Sequence, residues 1–350
     1  MNPDLVEVLR GGFVESLHRG ALAVVDADGA LRLSVGDTDR PVFPRSACKG
    51  LQALPLVASG AADALGLDDA ELALACASHG GEARHVATAA AMLAKAGLDA
   101  SALECGTHWP REEPVLRALV QSGGQAGPLH NNCSGKHAGF VCLGCLMARR
   151  QGRDPREFVA GYVRAEHPVM REITAALVAT TGLDPRNAPV GTDGCSIPTW
   201  GIALRSLALG FARFGTGVGL SEGDARAARR LRRAVAAEPF MVSGTGRFDN
   251  RMMSLFGERV FCKVGAEGVY AVALPDQGLG VAIKIDDGNT ARAAEVVCAA
   301  VIAAFLPTSD AERVALAPLC RPGLHNWNGQ AVGSLRPSAG LLAALPLPNR

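Results

Sequence analysis

Lysine is nearly missing from this chain. Of its 350 residues, 35 are lysine or arginine, yet only Lys49, Lys95, Lys136, Lys263 and Lys284 are lysines. A sequence that supplies surface charge with arginine keeps lysine mainly where guanidinium cannot replace it, because the amine must lose its proton or offer a lone pair. Charge of one sign is also lacking. A formal net charge of +1 gives no basic field for nucleic acid and no acidic tail, so a small-molecule partner is expected. The longest apolar runs, such as Val296 to Leu306, fall well short of the ~20 residues that a membrane span needs. The start, Met1-Asn2-Pro3-Asp4, has no cationic segment ahead of an apolar core, which reads as no secretion signal and a cytoplasmic location. No internal repeat or low-complexity linker interrupts the chain.

What is present is a globular composition, 48% hydrophobic, with ten cysteines. In a cytoplasmic setting these are expected as thiols. Cys76, Cys142, Cys145, Cys262 and Cys298 lie among Ala, Val and Leu, where cysteine acts as a small hydrophobe. Cys133 and Cys195 lie instead among Asn, Ser, Gly, Asp and Lys.

The stretch Pro44-Arg45-Ser46-Ala47-Cys48-Lys49-Gly50 organises the chemistry. If a helix starts near Pro44, Ser46 and Lys49 fall three residues apart on one face. A serine hydroxyl becomes a nucleophile once a neutral amine can take its proton, and a desolvated lysine is such an amine. Ser-x-x-Lys occurs often by chance; the shortage of lysine is what gives this one weight. Lys95 reads as ordinary helix surface, and Lys284 as a strand-end lysine. Ser78, after the apolar run Leu72 to Ala77, is a second hydroxyl candidate. Lys263, on the strand Val260 to Val264 and followed by Val264-Gly265, is similar to the Lys-Thr-Gly strand beside serine acyl-enzyme sites, with valine in the middle position.

Alternating apolar residues around Asp28-Gly29 predict strands at Ala21–Val25 and Leu31–Val35. Helical periodicity then runs through Lys49–Ser59, Asp69–Ala75, Ala83–Ala96, Glu112–Gln121, His137–Arg150, Pro155–Ala165 and Met170–Thr181. Strands return at Arg259–Val264, Val269–Leu274 and Gly280–Ile285, and a helix at Thr290–Leu306. This pattern predicts an α+β protein, with one antiparallel sheet shared by both termini and a mostly helical inserted region. Residues 1–45 and 240–335 are expected to form the sheet with flanking helices. Residues 46–239 are expected to form the helical region and 336–350 a loosely ordered tail, with the active cleft expected between sheet and helices. Serine and lysine at a helix start, serine on a loop and lysine on a strand make the three-part layout of penicillin-recognising enzymes and serine β-lactamases.

Five segments together carry a closer likeness: Arg45-Ser46-Ala47-Cys48-Lys49, Cys76-Ala77-Ser78-His79-Gly80-Gly81-Glu82, Asn131-Asn132-Cys133-Ser134-Gly135-Lys136-His137-Ala138-Gly139, Thr192-Asp193-Gly194-Cys195 and Lys263-Val264-Gly265-Ala266-Glu267-Gly268. Over about Leu5 to Gly333 the chain resembles the rhizobial-type, or class 3, L-asparaginases. That resemblance implies the β-lactamase-like fold, a homodimer, and hydrolysis of L-asparagine to L-aspartate and ammonia. It implies catalytic pairs Ser46/Lys49 and Ser78/Lys263. It further implies a zinc ion held by Cys133, Lys136 and Cys195 with a water, and substrate contacts from Arg45, His137 and Asp193. Ser196 departs from the pattern, because glycine is expected after the second cysteine.

Without the resemblance, the cysteine site stays open. Two thiolates suit zinc, with Asp193, Lys136 or His137 able to complete the shell, and His137 is the expected ligand on general grounds. Unmetallated thiols shaping a polar pocket are the other reading. Two rival functions also stand: a glutaminase or other serine amidohydrolase on the same scaffold, and a non-catalytic zinc-dependent binding protein.

Overall fold

The computed structural model describes residues Met1–Leu347. They divide into two compact units, one built from Met1–Ala47, Gly201–Thr216 and the chain from Cys262 onward, the other from Cys48–Trp200 and Gly217–Phe261.

The first unit is built on one large sheet with helices, beside a short two-stranded pairing of Pro41–Val42 with Ile202–Ala203. Across the large sheet run Gly323–His325, Ala331–Pro337, Asp4–Arg10, Phe13–Asp26, Leu279–Ile285, Val269–Leu274 and Phe261–Val264, and Leu31–Val35 also pairs with Phe13–Asp26. Among the described residues its strand pairings are antiparallel. The two ends of the chain meet directly, with Val6 opposite Pro337 and Arg10 opposite Gly333. The mainly helical segment falls between these strands in sequence, which is the α+β architecture expected. Ala21–Val25 is buried throughout, as a central strand covered on both faces should be. The helix Leu204–Thr216 packs on Phe13–Asp26, Val269–Leu274 and Leu279–Ile285, and the almost wholly apolar helix Glu295–Phe305 packs on Asp4–Arg10, Val269–Leu274 and Ala331–Pro337.

The second unit is built around the helix Ser134–Arg150, buried along most of its length. It packs against Asp69–Ala75, Ala83–Ala96 and Pro155–Val159. Gly135 makes the first of these contacts possible: a Cβ there would stand 2.4 Å from both the side chain and the carbonyl oxygen of Leu74. The N-terminal end of this helix is therefore drawn against the chain that leaves Asp69–Ala75 toward Ser78.

Several boundaries differ from the expectation. Leu204–Thr216 belongs with the sheet, because its apolar face covers the central strands, and residues 240–261 belong with the helical unit. Lys49–Ser59 is two short helices, Lys49–Gln52 and Leu54–Ala58, parted at Ala53 where Pro55 requires a fresh helix start. Pro155–Ala165 shortens to Pro155–Val159. The tail is ordered as far as it is described. Ser338 caps the helix Ala339–Ala344 and donates to the Asp4 carbonyl at 2.6 Å, and Leu341 is buried. Pro348, Asn349 and Arg350 lie outside the described residues.

Candidate active site

In the sheet unit the chain turns sharply before Ser46. Arg45 has φ +51°, a left-handed conformation that side-chain-bearing residues seldom adopt, and it opens a 3₁₀ turn over Arg45–Cys48. That turn is closed by Ala47 N–H donating to Pro44 O at 3.0 Å. Lys263 lies fully buried on Phe261–Val264, with its amine donating to Val264 O at 2.8 Å. The two segments touch at Gly265, where a Cβ would stand 2.6 Å from Pro44 O and 3.1 Å from Ala47 Cβ. Only a residue without a side chain lets the strand end press so closely on the turn carrying Arg45 and Ser46. Arg45 also lines a cleft of about 530 Å³ with Asp37, Arg40, Phe43, Glu267 and Lys284 among its walls. Lys284 there donates to the carbonyls of Glu267 and Ile285.

In the helical unit Lys49 opens the helix Lys49–Gln52, fully buried. Its Nζ lies 2.5 Å from Ala77 O, 3.0 Å from Ser78 Oγ and 3.4 Å from Asn132 O. Both protonation states fit this environment. An ammonium can direct its three N–H groups at the three oxygens. A neutral amine can donate to the two carbonyls and accept from the Ser78 hydroxyl. Such a site can hold a proton and pass it on without rearranging. Ser78 is itself fixed by its N–H, which donates to Val242 O at 2.8 Å.

Asn131 shapes the next segment. Its Nδ2 donates to Cys105 O and Gly106 O, and its Oδ1 accepts from Cys133 N–H at 2.9 Å. His108 Nε2 accepts from Asn132 N–H at 2.8 Å. Cys133, Lys136 and His137 are thereby presented from the start of the helix Ser134–Arg150. Lys136 Nζ lies 3.0 Å from Cys195 Sγ. Hydrogen bonding from Cys195, helped by Lys49 and Lys136, takes the Cys133 thiol well below its usual range, and the same bond together with burial pushes Cys195 up. Burial draws Lys136 down, but the sulfurs of Cys195 and Cys133 outweigh it and hold the ammonium form. Burial, then the Lys136 and Lys49 charges, takes His137 well below the ordinary imidazole range. Cys48 and Cys105, by contrast, are pushed up to about 12 by burial and stay thiols.

Does this donor set fit a zinc ion? Two sulfurs and a nitrogen, buried together, are what zinc prefers, and one sulfur is already poised as thiolate. Among the described residues no group of three or more His, Cys, Asp or Glu could hold a metal. A zinc site here therefore depends on Lys136, whose proton the metal would displace. On that condition the residues fit.

Cys195 sits in a turn where Ser196 N–H donates to Asp193 O at 2.9 Å and Asp193 N–H to Ile197 O at 2.8 Å. Ser196 has φ +75°, the left-handed conformation that glycine would take with less strain, so the turn forms with serine in glycine's place. Asp193 lies close enough to Lys136 to favour its charge. The structure thus gathers Lys49, Ser78, Cys133, Lys136, His137, Asp193 and Cys195 in one unit, and Arg45, Ser46 and Lys263 in the other. Lys95 is more than surface, since it pairs with the buried Glu71 at 2.6 Å. Two residues that pattern reading passed over complete the set: Asn131, just described, and Tyr162, whose hydroxyl lies 2.6 Å from His137 Nδ1. Tyr162 is one of only two tyrosines in the chain, a scarcity that would have flagged it.

A protein-family model described as L-asparaginase II matches residues 6–337. No curated protein matches the sequence. Among solved structures, the chain is similar to a β-lactamase from Mycobacterium bovis at 14% identity, covering 82% of this chain and 94% of that one, with a TM-score of 0.39. It is also similar to the protein titled Mglu, at 18% identity, 84% and 69% coverage and a TM-score of 0.34. Both scores lie below 0.5, so the architecture rests on the sheet order and register given above. Among the described residues no helix is long and apolar enough to cross a membrane.

Proposed function

The chain belongs to the L-asparaginase II family of amidohydrolases, and from that membership together with the two sets of residues we propose that it hydrolyses L-asparagine to L-aspartate and ammonia on an activated serine. The observation that carries the reading is Lys49, a fully buried amine 3.0 Å from a serine hydroxyl and three positions after Ser46.

Ser46 Oγ attacks the side-chain amide carbon while neutral Lys49 takes its proton, and backbone N–H groups of the adjoining turn stabilise the oxyanion. Nitrogen must gain a proton to leave as ammonia, and a β-aspartyl ester remains on the serine. Water, deprotonated by the same base, then hydrolyses the ester. Ser78 and Lys263 serve as the second pair, with Lys49 also within hydrogen-bond reach of the Ser78 hydroxyl. Arg45, His137 and Asp193 hold the amino acid's charged ends. Cys133, Lys136 and Cys195 would hold zinc, which supplies a fixed positive charge that orders the loops around the substrate. We also propose a homodimer, the assembly that the family resemblance implies, which light scattering would test.

Coupled ammonia assays with L-asparagine and L-glutamine, with and without chelator, test the proposal. Asparagine should be turned over, and Ser46→Ala and Lys49→Arg should each abolish it, since guanidinium cannot act as base. Equal rates on glutamine would make the protein a glutaminase. Binding of asparagine without ammonia release would make it a non-catalytic binding protein, and a wild-type rate in Lys49→Arg would exclude the amine base.

A further inference from the structure

His137 is fully buried on the helix Ser134–Arg150, with its ring against those of Phe140 and Tyr162 at centroid distances of 5.7 and 5.5 Å. Its Nδ1 lies 2.6 Å from the Tyr162 hydroxyl, and its Nε2 is buried with no hydrogen-bond partner among the described residues. Among the described residues the Tyr162 hydroxyl has one other partner, the backbone N–H of Glu104, which donates to it at 3.0 Å. The Glu104 carboxylate in turn accepts from Gly161 N–H at 2.6 Å, so the tyrosine is fixed both through its oxygen and through the chain beside it.

Counting protons on these atoms decides the tautomer. Glu104 N–H can only donate, so the phenolic hydrogen has one acceptor within reach, His137 Nδ1. If Nδ1 accepts it, the ring proton sits on Nε2 and a single buried donor is left without a partner. If Nδ1 carries the proton instead, it donates to the phenol oxygen, and both the phenolic hydrogen and the Nε2 lone pair are stranded. A doubly protonated ring strands the phenolic hydrogen and Nε2–H together. Buried polar groups are rarely left unpaired, so the arrangement with one orphan is selected over those with two.

We propose that Tyr162 is a positioning residue that fixes His137 as an Nε2–H donor for an oxygen of the bound amino acid. The proposal rests on the reading that this site takes asparagine. It has two chemical consequences. An Nε2 that carries hydrogen has no lone pair for a metal, so His137 is removed from the zinc donor set and Lys136 remains. An N–H donor recognises a carboxylate or carboxamide oxygen and not the substrate's ammonium or amide NH₂.

The test is the imidazole ¹⁵N spectrum of histidine-labelled protein, with the His137 signals assigned by their loss in His137→Gln, alongside kinetics of Tyr162→Phe. In the wild type His137 should be the Nε2–H tautomer. Tyr162→Phe should move it toward Nδ1–H and raise KM for asparagine about tenfold with kcat within about threefold, the pattern of a lost hydrogen bond made equally in ground and transition states. An Nδ1–H or doubly protonated ring in the wild type overturns the proposal. So does a Tyr162→Phe protein with a lowered melting temperature but unchanged KM. Should that variant not fold, the wild-type spectrum still decides the tautomer. A wild type that releases no ammonia from asparagine brings down the functional reading, while the spectrum separately decides whether Tyr162 sets the ring.

Discussion

Replacing Gly265 by alanine probes how the Ser46 turn is held. The added Cβ would lie 2.6 Å from Pro44 O and 3.2 Å from Ala47 N, both backbone atoms, so no side chain can swing aside. Ordinary contact begins near 3.4 Å, and the strand end and the turn must part by about 0.8 Å. Pro44 O is also the acceptor that closes the turn through Ala47 N–H, so the shift falls on the hydrogen bond that presents Arg45 and Ser46. Overpacking of this kind costs about 1–3 kcal/mol of stability. Displacing a nucleophile by nearly 1 Å costs up to about 100-fold in rate, equivalent to ~2.7 kcal/mol of barrier. The expected result is a kcat/KM for asparagine reduced about 10- to 100-fold in a protein that still melts cooperatively, read by initial rates of ammonia release and by circular dichroism. Gly223→Ala is the control. It lies in the first turn of the helix Glu222–Ala237 with its nearest neighbour 3.8 Å away, and should be stabilising by about 0.5–1 kcal/mol with wild-type kinetics. Wild-type kcat/KM in Gly265→Ala would refute the idea that this contact positions the serine.

Cys195→Ser should lower the zinc content of protein purified without added metal and raise KM more than it lowers kcat, measured by elemental analysis and steady-state kinetics; collapse of kcat at constant KM, with Ser46→Ala still active, would remove serine as nucleophile. Burial holds His79 and His137 well below the usual imidazole range, whereas the unfolded chain protonates them near pH 6.5. Their contribution is therefore present above about pH 6.5 and lost as pH falls, by about 1 kcal/mol each between pH 6.5 and 5.5, so thermal melts should drop by on the order of 3 °C over that interval. An unchanged melting temperature would show that these rings take up protons in the folded state. Ser196→Gly relieves a left-handed serine at φ +75° and should stabilise the protein by a net ~0.5 kcal/mol after glycine's greater unfolded-state entropy is set against it. A clearly lower melting temperature would mean that the Ser196 side chain, not its backbone, holds the turn.

The sequence by itself determined the α+β pattern, because alternation and helical periodicity record which face of a local element is buried. It also pointed to Lys49, Lys136 and Lys263, since a chain so poor in lysine places few of them for solvent. All three are buried. It could not place Leu204–Thr216 with the sheet or order the segment after Arg336, because both depend on surfaces that exist only once distant strands have paired. The partnerships within the site are of the same kind. Lys49 meets Ser78 across 29 positions, Lys136 meets Cys195 across 59 and His137 meets Tyr162 across 25. No local periodicity encodes such distances. They arise from close approaches such as that of Gly135 to Leu74, which bring the start of one helix against the chain leaving another. Which residue types could carry the chemistry is thus written along the chain, whereas which atom holds each proton is decided only by packing.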